Sequence, residues 1–127
     1  MQQLQLPPLA AGEIYVGASG DQHGNLHHVI LLPGDNEDAT WQEQLDWAKS
    51  IGGDLPNKVE LAMLWNTCRD QFQRDWYWSN QEWEMDPGSA WCQVFTNGYQ
   101  YDTHEGALLR ARAVRRLPIQ SFNNLEG

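Results

Sequence analysis

The chain has 127 residues, which suits one domain around one apolar core. Apolar residues make up 41% of it, and nothing approaches the ~20 consecutive apolar positions of a membrane-crossing helix, so no membrane partner is expected. The net charge is −9, and residues 1–109 hold 16 acidic against 4 basic side chains; such a surface repels phosphate, which disfavours direct nucleic-acid binding.

Residues 1–12 (MQQLQLPPLAAG) form a Gln, Leu and Pro lead-in with little periodicity. They lack the basic flank and long apolar run of a secretory signal, so the expected location is the cytoplasm, with a virion as the alternative. Glu13 to Ala18 and Leu26 to Leu32 read as strands, joined by a Gly-, Asp- and Asn-containing stretch with hairpin-loop chemistry. Pro33 and Gly34 end the second strand, and Asp35 to Asp38 read as an acidic loop. Two helices follow. Thr40 and Glu43 make a capping box before a face of Trp41, Leu45, Ala48 and Ile51, stopped by Gly52 and Gly53. Asn57 and Glu60 repeat the device before Leu61, Leu64, Trp65 and Cys68, with an end near Asp70 to Gln73.

Everything after Trp76 reads as sheet. Asn97-Gly98 predicts a type I′ hairpin that pairs Trp91 to Phe95 with Tyr99 to Asp102. Leu109 to Leu117 predicts the final strand, with a bulge near Ala113-Val114 and Pro118 as its stop. The domain then spans 13–118, and 119–127 is a polar tail whose residues Ser121 to Gly127 are expected to be loose. Grouped helices between sets of strands give an α+β class: an N-terminal β-hairpin, two helices, then an antiparallel multi-stranded sheet.

The chain carries 7 Trp, an excess that serves either core or contact. Because strands alternate faces, the aromatics crowded between Trp76 and Tyr101 do not all fit one core. Trp76, Trp78 and Trp91 read first as core, while Trp83, Tyr99 and Tyr101 divide between core and contact. Cys68 and Cys92 lack metal-ligand spacing and read as free, buried thiols. His27 and His28 point to opposite faces of one strand, so no zinc site is expected, and Asp35 to Asp38 read as a solvated loop and not a calcium site. Arg110, Arg112, Arg115 and Arg116 are expected to pair with acids on neighbouring strands. No nucleophile elbow, phosphate loop or triad is visible, so neither enzymatic activity nor a cofactor is expected.

Residues 41–65, W-x5-WAKSIGGDLPNK-x-ELAMLW, are followed by Trp78-Ser79, by Ala90-Trp91-Cys92-Gln93-Val94-Phe95, by Asn97-Gly98-Tyr99-Gln100, and by Leu109 to Leu117. In this order the motifs resemble a prophage and bacterial domain of unknown function with a C-type-lectin-like fold. That family is similar to the C-terminal domain of collagen-like adhesins and to retroelement-diversified variable proteins, and more distantly to formylglycine-generating enzymes. The likeness covers about residues 40–117, and residues 13–32 also resemble the family's N-terminal hairpin. Asn57 stands where Thr is common and Cys92 where an aromatic is common. The late cysteine pair of the formylglycine-generating enzymes is missing.

The resemblance implies a ligand surface of Gln81, Glu82, Trp83, Glu84, Asp86, Trp91, Gln93, Tyr99, Tyr101, Asp102 and His104. It also implies a protein or surface-glycan ligand, with a host protein among the candidate partners. Two other readings stay open: an acidic inhibitor that occupies a basic groove of a host defence or nucleic-acid-processing protein through Asp35 to Asp38 and Glu82 to Asp86, and a virion structural or decoration protein. The oligomeric state is left open.

Overall fold

The computed structural model describes residues 4–119, so the expected loose tail Ser121 to Gly127 lies outside the described residues. The elements are β1 (Ile14–Gly20), β2 (Leu26–Leu31), β3 (Asn36–Ala39), α1 (Trp41–Ser50), α2 (Lys58–Cys68), a 3-10 turn (Arg69–Gln71), β4 (Trp76–Trp83), β5 (Asp86–Val94), β6 (Gln100–His104), β7 (Leu109–Ala111) and β8 (Val114–Ile119). No helix among the described residues is long and apolar enough to cross a membrane.

Both helices start where their side chains say they should. The Thr40 hydroxyl accepts from Glu43 N at 3.3 Å, and the Glu43 carboxylate accepts from Thr40 N at 2.9 Å. Asn57 and Glu60 repeat this at 2.8 Å in both directions. Each box satisfies N–H groups that have no partner inside the helix. After α1 the backbone reverses through Gly52, whose φ of +85° suits a residue without a Cβ.

The strands form two sheets. One is three-stranded, in the order β1-β2-β8, and antiparallel. The other is five-stranded, in the order β3-β7-β4-β5-β6, with a single parallel contact between β4 and β7. Neighbouring residues on β4 face different cores, as the two-residue period requires. Tyr77 joins Val29, Leu31, Leu64, Phe72 and Val114 between the three-stranded sheet and α2. Trp78 joins Ala48, Leu55, Ala90, Cys92 and Ala111 on the α1 side. This double burial absorbs part of the aromatic excess. Trp78 is fully buried, and its indole N–H donates to Ala39 O at 3.1 Å.

Several expectations need correction. The segment read as an acidic loop is strand β3, whose Asn36 and Ala39 pair with β7. Ile51 caps α1 in solvent, and the buried polar member of that helix is Gln44, whose amide donates to Glu37 O and Leu109 O. Asn97 has no positive φ, so the turn after β5 is not type I′. It is a longer loop closed by Gly98 N to Val94 O at 2.7 Å, with Gly98 alone in the left-handed region.

The expected final strand is two strands, because the chain passes from one sheet to the other at Arg112-Ala113. Pro118 does not stop β8; it pairs with His27 within an edge strand, where a missing N–H is tolerated. Arg112 is buried at that crossing and donates to Leu32 O at 2.8 Å and Gln71 O at 2.6 Å. It therefore holds carbonyls and not an acid. The acids paired with Arg110 (Asp35), Arg115 (Glu13) and Arg116 (Asp54, Glu60) stand beside strands or on α2, not within neighbouring strands.

Candidate functional site

Residues opposite one another in an antiparallel ladder share a sheet face. Cys92 lies opposite both Trp78 and Tyr101, while Trp91 lies opposite Asp102, and Gln93 opposite Tyr77 and Gln100. The residues expected to form one ligand surface therefore divide. Tyr99 and Tyr101 belong to the Trp78 face, and Trp91, Gln93, Asp102 and His104 to the other.

On the first face three rings form a contiguous surface strip. Trp76 and Tyr101 stack with centroids 5.4 Å apart and planes 20° apart, and Tyr99 lies 6.3 Å beyond Tyr101. Their exposures are 38%, 40% and 61% respectively. Trp76 was expected in the core; the buried layer on its face is occupied by Trp78, and Trp76 at the start of β4 is covered by Tyr101 instead.

On the second face Trp83 and Trp91 meet edge to face at 6.3 Å, and the Lys58 ammonium sits 3.7 Å above the Trp91 ring. The first turn of α2 is tied to this face. Lys58 N donates to Gln81 Oε1 at 2.7 Å, and Lys58 O accepts from Gln100 Nε2 at 2.8 Å. Gln93 is fully buried, donates to Leu61 O at 2.6 Å and accepts from Gln100, so it fastens β5 to α2 and is sealed from any external ligand.

The β4–β5 hairpin tip is acidic. Glu82, Glu84 and Asp86 are exposed around Met85, itself 77% exposed. Asp86 accepts from Gly88 N and Ser89 Oγ, both at 3.0 Å, which holds its carboxyl below the usual range. Glu105 is fastened beside the tip by its N–H to Gly88 O at 3.0 Å. Burial and then the Glu82 carboxylate push its own carboxyl upward, against the pull of His104. His104 Nδ1 accepts from Gly106 N at 2.9 Å.

A cleft of about 410 Å³ lies elsewhere, where the β1–β2 turn, β8 and the start of α2 meet. His27 and Arg116 line it, and behind them lies the fully buried Glu60. Arg116 grips both carboxylate oxygens of Glu60 at 2.6 and 2.7 Å, and His27 Nε2 is 3.1 Å from Oε2. Burial alone would raise the Glu60 carboxyl, but the hydrogen bonds from Arg116 and Asn57, with the Arg116 charge, hold it below the usual range. Its oxygens are already engaged, which makes it a structural anion and a poor proton acceptor. Sequence reasoning found these residues separately, as a helix cap and part of an arginine run. Nothing in their spacing announced that positions 27, 60 and 116 meet.

Asp35 accepts from the Tyr77 hydroxyl and from Arg110 Nε at 2.9 Å, so it is not part of an open acidic loop. Burial pushes the Cys92 thiol up to about 12, and both cysteines are free and buried. Among the described residues no three His, Cys, Asp or Glu side chains are placed to hold a metal ion. No protein-family model matches the chain, and no curated protein matches it.

Proposed function

We propose that this chain is a non-enzymatic binding module of C-type-lectin-like fold, phage- or prophage-encoded, which takes a protein or surface-glycan ligand on its β4–β6 region. One observation carries the reading: Trp76, Tyr101 and Tyr99 touch one another in solvent when α+β packing had two cores in which to hide them. Leaving large rings in water forgoes about 1.5–3 kcal/mol for each fully buried equivalent, and rigid aromatic rings are the usual anchors of binding hot spots. Screening glycan and peptide arrays with the wild type and with a Trp76→Ala, Tyr99→Ser double variant tests it. Ligands lost in the double variant support the reading; ligands retained by it at equal affinity refute it.

A second reading has its own observation. Exposed Glu82, Glu84 and Asp86 gather at the hairpin tip, and Glu105 beside it has its carboxyl raised by burial and then by the Glu82 carboxylate, which suits docking into a basic protein groove. Its affinity would fall steeply with added salt, whereas that of an aromatic-driven contact would barely respond.

A further inference from the structure

Four strands stand at sheet edges: β1, β8, β3 and β6. Exposed edges are templates for further pairing, and proteins blunt them with bulges, proline, short strands or lysine. Three of the four are blunted here. Strand β1 carries an irregularity between Tyr15 and Gly17. Strand β8 contains Pro118, and its Val114 is already bridged to Asp54. Strand β3 has four residues and a register shift of its own.

Strand β6, though nearly as short as β3, carries none of the other devices. Its five residues QYDTH contain neither proline nor lysine, and its register with β5 runs unbroken from Gln100 to His104. At the two ends of this ladder, Tyr99 O accepts from Val94 N at 2.9 Å and Glu105 N donates to Gly88 O at 3.0 Å. Antiparallel alternation then turns the backbone N–H and C=O of Gln100 and Asp102 and the N–H of His104 away from β5, while His104 O already accepts from Ala107 N at 2.9 Å. No strand pairs with that side among the described residues.

We propose that β6 is a strand-addition edge that takes an extended, basic segment of a partner protein, a proposal that rests on the binding-module reading above. Pairing would supply main-chain hydrogen bonds, and alternate side chains would supply selectivity. A segment laid along β6 puts every second side chain beside Tyr99 and Tyr101, so those are apolar. The intervening side chains lie beside Gln100, Asp102 and His104; Asp102 is exposed and has no ion-pair partner among the described residues, so the side chain beside it is Lys or Arg. Charge also separates this occupant from a second copy of the chain, because two molecules of net charge −9 repel one another and a basic segment is drawn in. Asp102 thus acts as a filter on an otherwise open edge.

The test uses the full chain and an array of seven-residue peptides that alternate Lys or Arg with Val, Ile, Phe or Tyr. Wild type is expected to bind members of this set. N-methylation of the peptide backbone on its pairing side is expected to weaken them tenfold or more, and Asp102→Lys to reverse preference toward Glu-containing counterparts. Binding that survives N-methylation but is lost in a Tyr99→Ser, Tyr101→Ser variant overturns the strand-addition proposal while leaving the aromatic surface standing. A concentration-dependent dimer abolished by Asp102→Pro overturns the choice of occupant in favour of a second copy. Absence of peptide binding at millimolar concentration, with the wild type folded, overturns the proposal outright.

Discussion

Arg116 holds the Glu60 carboxylate at both oxygens, with Nε 2.6 Å from Oε2 and Nη2 2.7 Å from Oε1, while Glu60 itself is sealed from solvent. The same carboxylate caps α2 through Asn57 N, so one side chain joins the helix start to β8. Removing one partner of a buried pair leaves the other charge uncompensated, so Arg116→Met is expected to cost about 3 kcal/mol. Urea unfolding at pH 7 measures this, and a loss below about 1 kcal/mol would contradict the assignment.

The same pair sets an acid response. The Glu60 carboxyl lies below its ordinary value in the fold, so its contribution is complete above the unfolded value of about 4.3 and is lost as pH falls through the folded one. Glu60→Gln should therefore destabilise at pH 7 and differ much less from wild type at pH 3. An equal difference at both pH values would count against it.

Glu105 should behave in the opposite sense. Its carboxyl is raised by burial and by Glu82, so its favourable contribution is present below the unfolded value and lost as pH rises through the folded one. Glu105→Gln is expected to raise Tm at pH 7 and to give no gain near pH 3. A lower Tm at pH 7 would show that the carboxylate is not under strain from its neighbour.

Gly98 has φ of +79°, and a Cβ there would lie 2.6 Å from the Trp65 indole. The left-handed conformation alone costs a non-glycine residue about 1–2 kcal/mol. Gly98→Ala is expected to lose at least that, and Gly98→Asn, which tolerates this φ better, should lose nearly as much because the indole is in its way. Full tolerance of Asn in thermal unfolding would mean that Trp65 moves aside freely.

Aromatic truncation should separate core from surface. Trp78→Ala is expected to cost about 3–5 kcal/mol, as for other large buried rings, whereas Tyr99→Ser should stay within about 0.5 kcal/mol. Chemical denaturation of the two variants compares them directly, and comparable losses would place Tyr99 among the structural rings.

The sequence told unequally about these parts. Both capping boxes were readable because they depend on residues three apart, and the grouping of two helices between sets of strands followed from periodicity, although strand β3 was missed because its acidic residues read as a loop. The crossing at Arg112-Ala113 showed only as a break in alternation at Ala113-Val114, which reads equally as a bulge within one strand and as a change of sheet. Gln93 looked like a contact residue, since nothing local says that its amide will meet Leu61 O. Trp76 and Trp78 share a sheet face but not a depth, and periodicity reports only the face. The cleft at His27, Glu60 and Arg116 was hidden for the same reason: residues far apart in the chain meet only when the sheets close.

The pairing of β2 with β8 also has a consequence for biosynthesis. Leu31 leaves the ribosome about eighty residues before its partner Val114. At ordinary elongation speeds that is an interval on the order of ten seconds. Throughout it the water-averse run Val29 to Leu32 is without one of its flanking strands. A nascent chain arrested ahead of Val114 should accordingly be cut by protease in that run, while the released full-length product should resist.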